Sequence, residues 1–133
     1  MDRIYVDTCV YVNLLNGDKD YWRDLGEFAL RVFEQVRAKR YRLVISDWVI
    51  KELKKQVDCK LIDEFLSGFE KECILEVEST HQDKREAKRM SRNWPDALHV
   101  VLALKNDCVY LVTRDKDFIE FQGLIEIVLP ESL

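Results

Sequence analysis

The sequence predicts an α/β protein in which helices sandwich a mostly parallel sheet. Two observations carry that prediction. Five short β-rich runs (RIYVD, YRLVI, ILEV, VYLVT and IEIVL) are spread along the 133 residues, and the first three are each followed by helical patterning. No internal repeat, linker or low-complexity segment interrupts the series, so one domain over residues 1–133 is the expected organisation.

Arg3–Asp7 is the first strand and ends in a carboxylate. Thr8–Leu15 is short, apolar and helical, and Asn16, Gly17 and Asp18 supply a turn. Leu25, Phe28, Ala29, Val32, Phe33 and Val36 recur at helical spacing, which predicts an amphipathic helix from about Tyr21 to Lys39. After the strand Tyr41–Ile45, Ser46 stands where an N-cap belongs and Asp47 falls in the positive first turn of a helix striped by Val49, Leu53 and Val57. Leu61, Ile62, Phe65, Leu66 and Phe69 mark another helix, expected to pack on its predecessor as a hairpin. Ile74–Val77 is a brief strand, and His81–Arg92 is polar and basic at near-helical spacing. Pro95 and Asp96 open a helix that is apolar almost all round, from Ala97 to Leu104, so that helix must be buried. Val109–Thr113 and Ile125–Leu129 complete the strands, the last stopped by Pro130.

Composition narrows the function. Apolar residues make up 47% of the chain and charged residues 35%, the latter well above the usual quarter, so a real core sits under a heavily charged surface. No apolar run reaches the roughly 18–20 residues of a membrane span, and Asp2, Arg3 and Asp7 interrupt any signal-peptide core. Cys9, Cys59, Cys73 and Cys108 form no C-x-x-C pair, so neither a zinc site nor a disulfide framework is expected, and a cytoplasmic protein with reduced thiols is. The net charge of −4 is not that of a polycation, so nucleic-acid binding has to come from local basic patches or bridging metal ions.

The acidic residues suggest where chemistry could occur. Two strands end in carboxylates, Asp7 after the first and Asp115 with Asp117 after VYLVT. Ligands of open parallel sheets bind beyond such strand ends, where strand order reverses. Glu52, two turns into the helix capped by Ser46, and Asp96, at the head of the buried helix, could face the same place. Singly, each has an ordinary explanation: a helix first turn for Asp96, a solvated helix face for Glu52, a turn for Asp115 and Asp117. Asp7 is harder to dismiss, because strands disfavour Asp. Converging carboxylates need a counter-charge, and hard divalent cations such as Mg²⁺ or Mn²⁺ prefer oxygen donors of this kind. Such a cation would let an acidic site bind and cut a polyanion.

Taken together, YVDTCVYV, SDWVIKEL and PDALHVVLALKNDCVYLVTRDKDF resemble, in order, the acidic motifs of the PIN-domain family of metal-dependent ribonucleases. The resemblance implies an α/β/α fold on a five-stranded parallel sheet and Mg²⁺- or Mn²⁺-dependent endonucleolytic cleavage of RNA. It implies that Asp7, Glu52, Asp96 and Asp115 are the catalytic and metal-binding acids, with Asp117 an additional metal ligand and Thr113 the hydroxyl residue before the last acid. Two departures stand out: Cys9 replaces a frequent Asn and cannot make the same hydrogen bonds, and SRNWP lacks a glycine often found upstream of the third acid in toxin-like members. Many family members of this size are the toxins of VapBC-type toxin–antitoxin pairs. The resemblance therefore implies a cognate antitoxin and a homodimer partner, held by the helices of residues 47–70. Trp48, Phe65 and Phe69 are candidates for that contact, with core packing as the ordinary alternative. A stand-alone RNA-processing nuclease, or a non-catalytic scaffold that binds RNA or protein, would share the architecture.

Lys84, Arg85, Lys88, Arg89 and Arg92 are candidates for contact with the RNA backbone; their ordinary reading is a solvated helix face. Arg37, Lys39, Arg40 and Arg42 span a helix end, where positive charge is favourable anyway. His99 is read as a structural residue of the buried helix, although three residues after Asp96 it could reach the site. Two phosphoryl-transfer readings fit less well. A haloacid-dehalogenase-like phosphatase would want Asp where Cys9 stands, and a receiver domain would want a strand-end Lys where LVTRD has Arg114.

Overall fold

The computed structural model describes residues 1–18 and 23–133. Five strands form one sheet: β1 (Asp2–Val6), β2 (Tyr41–Ser46), β3 (Ile74–Val77), β4 (Cys108–Val112) and β5 (Glu126–Val128). Their spatial order is β3-β2-β1-β4-β5, and every pairing is parallel. The chain therefore works outward from β1 to β3 on one side, then crosses back to place β4 on the other side of β1. Strand order reverses between β1 and β4, and this is the point at which a parallel sheet opens a crevice beyond its strand ends.

Right-handed crossovers on either side of such a reversal put the connecting helices on opposite faces. Helices α1 (Thr8–Leu15), α2 (Leu25–Arg37), α3 (Asp47–Leu53) and α4 (Cys59–Ser67) follow β1 and β2, and α1 packs against α2 and α3. Helices α5 (His81–Met90) and α6 (Trp94–Lys105) precede β4 and pack on each other, with α6 against β1 and β4. The α/β/α sandwich expected from the alternation of elements is the observed fold, and the sheet is parallel throughout.

Several boundaries move for local reasons. Asp7 lies just past β1 and is the N-cap of α1, its side chain accepting from the Thr8 N–H, so the Asp that looked out of place in a strand occupies a position Asp favours. The amphipathic helix begins at Leu25 behind an Asp24 cap; Tyr21 and Trp22, where it was expected to start, lie outside the described residues. The basic segment is helix α5, begun by a capping box in which Thr80 and Asp83 bond reciprocally. Pro95 stands second in α6, where its missing N–H costs nothing, and Asp96 third.

The expected hairpin of α3 and α4 is open. A groove of about 740 Å³ separates them, lined among others by Ile50 from α3 and Lys54 just after it, Ile62 and Leu66 from α4, and Val77 at the end of β3. Phe65 and Phe69 turn away from it into an aromatic cluster with Tyr11 and Phe33. Trp48 packs on Trp94, and its indole N–H donates to the Pro95 carbonyl at 3.1 Å. The three aromatics considered for partner contact are thus core and near-core residues, and the groove is lined instead by a mixture of aliphatic and charged side chains.

Helix α6 is the spine of the core. Ala97, Leu98, His99, Val100, Val101, Leu102 and Ala103 are all buried, as its continuous apolar run requires. Truncating Leu102 to Ala should destabilise the protein by about 2–5 kcal/mol, the range for deleting a buried Leu side chain, read from the midpoint of urea unfolding. A cost below the lower bound would mean that α6 is not the packed centre described here.

Candidate active site

The ends of β1 and β4 meet at the reversal point, and Asp7 is built into that junction. Its buried carboxylate accepts from the Thr8 N–H at 2.8 Å, from the Thr113 hydroxyl at 2.8 Å and from the Cys9 thiol at 3.2 Å. Burial, and then the Asp7 charge, push the Cys9 thiol up to about 12, so the thiol keeps its proton and serves as donor. The substitution of Cys9 for a frequent Asn therefore leaves Asp7 with a donor at that position. Thr113 does double duty: its Oγ1 also accepts from the Asp115 N–H at 3.0 Å, which ties the loop after β4 to the loop after β1.

Asp7, Glu52, Asp96 and Asp115 line one cleft of about 470 Å³, together with Thr8, Cys9, Val12, Asn13, Lys55 and Gln56. Within it the acids fall into two groups. Asp7, Glu52 and His99 offer ligand atoms within 4.8 Å of one another, and Asp96, Asp115 and Asp117 do the same. All five acids singled out from the sequence are thereby brought together, with Asp117 joining through Asp96 and Asp115.

The two groups differ in how their charge is met. Glu52 accepts from Thr8 Oγ1 at 2.6 Å and lies 2.7 Å from His99 Nε2, which is also 3.6 Å from Asp7. Burial would raise the Glu52 pKa, but the His99 and Thr8 hydrogen bonds and the His99 charge outweigh it, and the net direction is down. Burial likewise opposes charge on His99, yet Glu52, Asp7 and Asp96 raise its pKa. On the other side, Asp96 accepts from the Asn93 side chain at 2.7 Å. Among the described residues no Lys or Arg forms a salt bridge with Asp7, Glu52, Asp96, Asp115 or Asp117. Burial raises the Asp96 pKa to about 6; the Asn93 hydrogen bond works against this, and the charges of Asp7 and Asp115 add to the rise. A cluster of hard oxygen donors without a basic partner fits a hard divalent cation.

The five basic residues lie elsewhere. Lys84, Arg85, Lys88 and Arg89 are on α5 and Arg92 follows it, and none lines the acidic cleft. Lys88 Nζ sits 5.0 Å from the centroid of the Trp94 ring and Arg85 bonds Gln82, while Arg89 and Arg92 are exposed. The cation that does line the cleft, Lys55, was not singled out from the sequence. Nor were Tyr5, Thr8 and Asn93. His99 was read as structural, but it touches Glu52 directly. Spacing held partial hints, since His99 is one helical turn after Asp96 and Tyr5 is two residues before Asp7.

The Asp96 shift has a definite sign. Its folded-state pKa lies above the usual carboxylate value of about 3.9, so the folded protein favours the protonated form and loses stability as pH rises through about 6. In EDTA, the stability of Asp96→Asn relative to the unsubstituted protein should therefore grow between pH 4 and 7, measured by denaturant unfolding at each pH. A constant difference would contradict the raised pKa.

The PIN domain family model matches residues 4–124. No curated protein sequence matches. Among solved structures, VapC20 of Mycobacterium tuberculosis, described as a sarcin-ricin loop cleaving toxin, aligns with a TM-score of 0.65 at 14% identity, over 90% of this chain and 95% of that one. VapBC2 from Rickettsia felis, solved bound to a DNA fragment from its promoter, aligns with a TM-score of 0.64, also at 14% identity, over 95% of this chain and 97% of that one. These structural likenesses are of fold. With the strand order, the carboxylate cleft at the reversal point and a family match over most of its length, this chain belongs to the PIN-domain family.

Proposed function

We propose that the protein is a metal-dependent endoribonuclease that cuts RNA phosphodiester bonds in the cleft of Asp7, Glu52, Asp96 and Asp115. The single observation that carries this reading is the convergence of these carboxylates on one cleft with no Lys or Arg salt-bridged to them among the described residues. Asp7, Asp96 and Asp115 are the residues that would hold Mg²⁺ or Mn²⁺, with Asp117 auxiliary and Glu52 lining the same cleft beside Asp7. A bound cation of this kind polarises a phosphate, activates water and neutralises a leaving oxygen. The protein's own residues do the rest. Thr113 keeps Asp7 and the Asp115 loop in register, while Glu52 in the cleft would accept a proton from attacking water and Lys55, also lining it, would be a counter-charge for the phosphate. Lys84, Arg85, Lys88, Arg89 and Arg92 would hold the RNA backbone beyond the cleft.

Within this reading the best biological assignment is the toxin of a toxin–antitoxin pair acting in the cytoplasm. Membership of the PIN family and the likeness in fold to a toxin and to a VapBC complex support it. The antitoxin would then occupy the groove between α3 and α4, where Ile50, Ile62, Leu66 and Val77 stand among the charged side chains of Asp47, Lys51, Lys54, Asp63, Glu76 and Glu78.

Purified protein should cleave RNA with Mg²⁺ or Mn²⁺ and stop with EDTA, and Asp7→Asn and Asp96→Asn should abolish cleavage while the protein stays folded, as judged by circular dichroism. Full activity in Asp96→Asn would sink the four-acid site. Replacing Arg89 or Arg92 by Ala should weaken RNA binding across sequences and lower the slope of log affinity against log salt by roughly 1 for each phosphate no longer neutralised. An unchanged slope would remove α5 from the interface. For the toxin assignment, induced expression should arrest growth, and the arrest should vanish with Asp96→Asn; harmless expression of an active nuclease would count against it.

A further inference from the structure

We propose that Tyr5 and His99 are a positioning pair for Glu52, committing one of its carboxylate oxygens to the protein and leaving the other for the cleft. Its consequence for cleavage rests on the nuclease reading above, whereas the hydrogen bonding does not. Oε1 of Glu52 takes both protein contacts, from Thr8 at 2.6 Å and His99 Nε2 at 2.7 Å, and among the described residues Oε2 has no hydrogen-bond partner. Behind His99 the contacts continue: Nδ1 lies 2.7 Å from the Tyr5 hydroxyl, which lies 2.7 Å from Ser46 Oγ, which accepts from the Val49 N–H at 3.1 Å. His99, Tyr5 and Ser46 are all buried, and the contacts between them are direct.

Counting protons orders this chain. Ser46 Oγ receives the Val49 N–H as cap of α3 and, with a second lone pair and its own proton, can meet the Tyr5 hydroxyl either way, so the order is set at the Glu52 end. Nε2 keeps its proton for Glu52, and the Tyr5 proton then points to Nδ1. The opposite neutral tautomer would set the Nε2 lone pair against a carboxylate oxygen at 2.7 Å in a dry interior, with neither atom able to donate. A doubly protonated ring still donates from Nε2, because the Tyr5 hydroxyl turns to accept. In either state Oε1 is saturated and Oε2 is the oxygen presented. The same Ser46 hydroxyl that starts the chain caps the helix that carries Glu52, so one atom sets both the backbone and the side chain of that residue.

The test uses the full chain with Mg²⁺ and four proteins: unsubstituted, Tyr5→Phe, His99→Leu and His99→Gln, each checked by thermal melting. Long-range ¹H–¹⁵N NMR of the unsubstituted protein should find a proton on Nε2 of His99. Removing a group that orients a metal-site residue typically costs 10- to 100-fold, so Tyr5→Phe and His99→Leu should lower kcat by about that factor with a smaller change in KM. His99→Gln, which keeps an N–H near the Nε2 position, should recover most of the activity. An unprotonated Nε2, unsubstituted-level kcat in folded His99→Leu, or a His99→Gln variant as impaired as His99→Leu would each overturn the pair. Absence of any cleavage by the unsubstituted protein would overturn the nuclease reading instead, and the NMR result would still decide the hydrogen bonding.

Discussion

The hydrogen bond from Thr113 to Asp7, 2.8 Å long and spanning 106 residues of sequence, joins the ends of the two strands on which the site depends. It exists because β4 lies beside β1, and that adjacency follows from the chain reversing its direction of travel across the sheet after β3. A buried carboxylate is costly unless donors meet it, and Asp7 has a backbone N–H, a hydroxyl and a thiol. Each donor comes from a residue already fixed by the strand ends or the first turn of α1. The acid therefore reports whether that junction is assembled correctly.

From this junction the cleft divides into two electrostatic halves. The half containing Glu52 is met internally, by Thr8 and by an imidazole whose burial is offset by the acids around it. The half containing Asp96, Asp115 and Asp117 lacks a basic partner among the described residues, and one of its carboxyls is raised to about 6, burial being the largest cause. The asymmetry is one of partners: the first half is hydrogen-bonded within the protein, and the second gathers carboxylates without a Lys or Arg salt bridge among the described residues. A ligand of positive charge would relieve the second half while leaving the hydrogen bonds of the first undisturbed.

The sheet and its helices were legible because their patterning is local. The alternation of β-rich runs with helical stripes, the Ser46 cap and the apolar run after Pro95 all act within a few residues of one another. Asp7, Asp96, Asp115 and Asp117 were legible through their positions at strand ends and a helix start, and Glu52 through the helix-borne motif SDWVIKEL. What stayed hidden were the supporting groups. Tyr5, Thr8, Asn93 and Lys55 are ordinary residues in ordinary positions, and only packing shows what they touch. His99 on a continuously apolar helix looks like core, and it is core; it is also bonded to Glu52, 47 residues away.

By itself, then, the sequence determined which elements form and which acids stand at their ends, since short-range sterics, capping and hydrophobic periodicity decide both. The tertiary structure alone decided that β1 and β4 are neighbours, that α3 and α4 stand apart around a groove, and that no basic residue of α5 lines the acidic cleft. These depend on crossover direction and on which side chains fill the space between layers. They are set by pairs of residues far apart in the chain, and no local pattern encodes them.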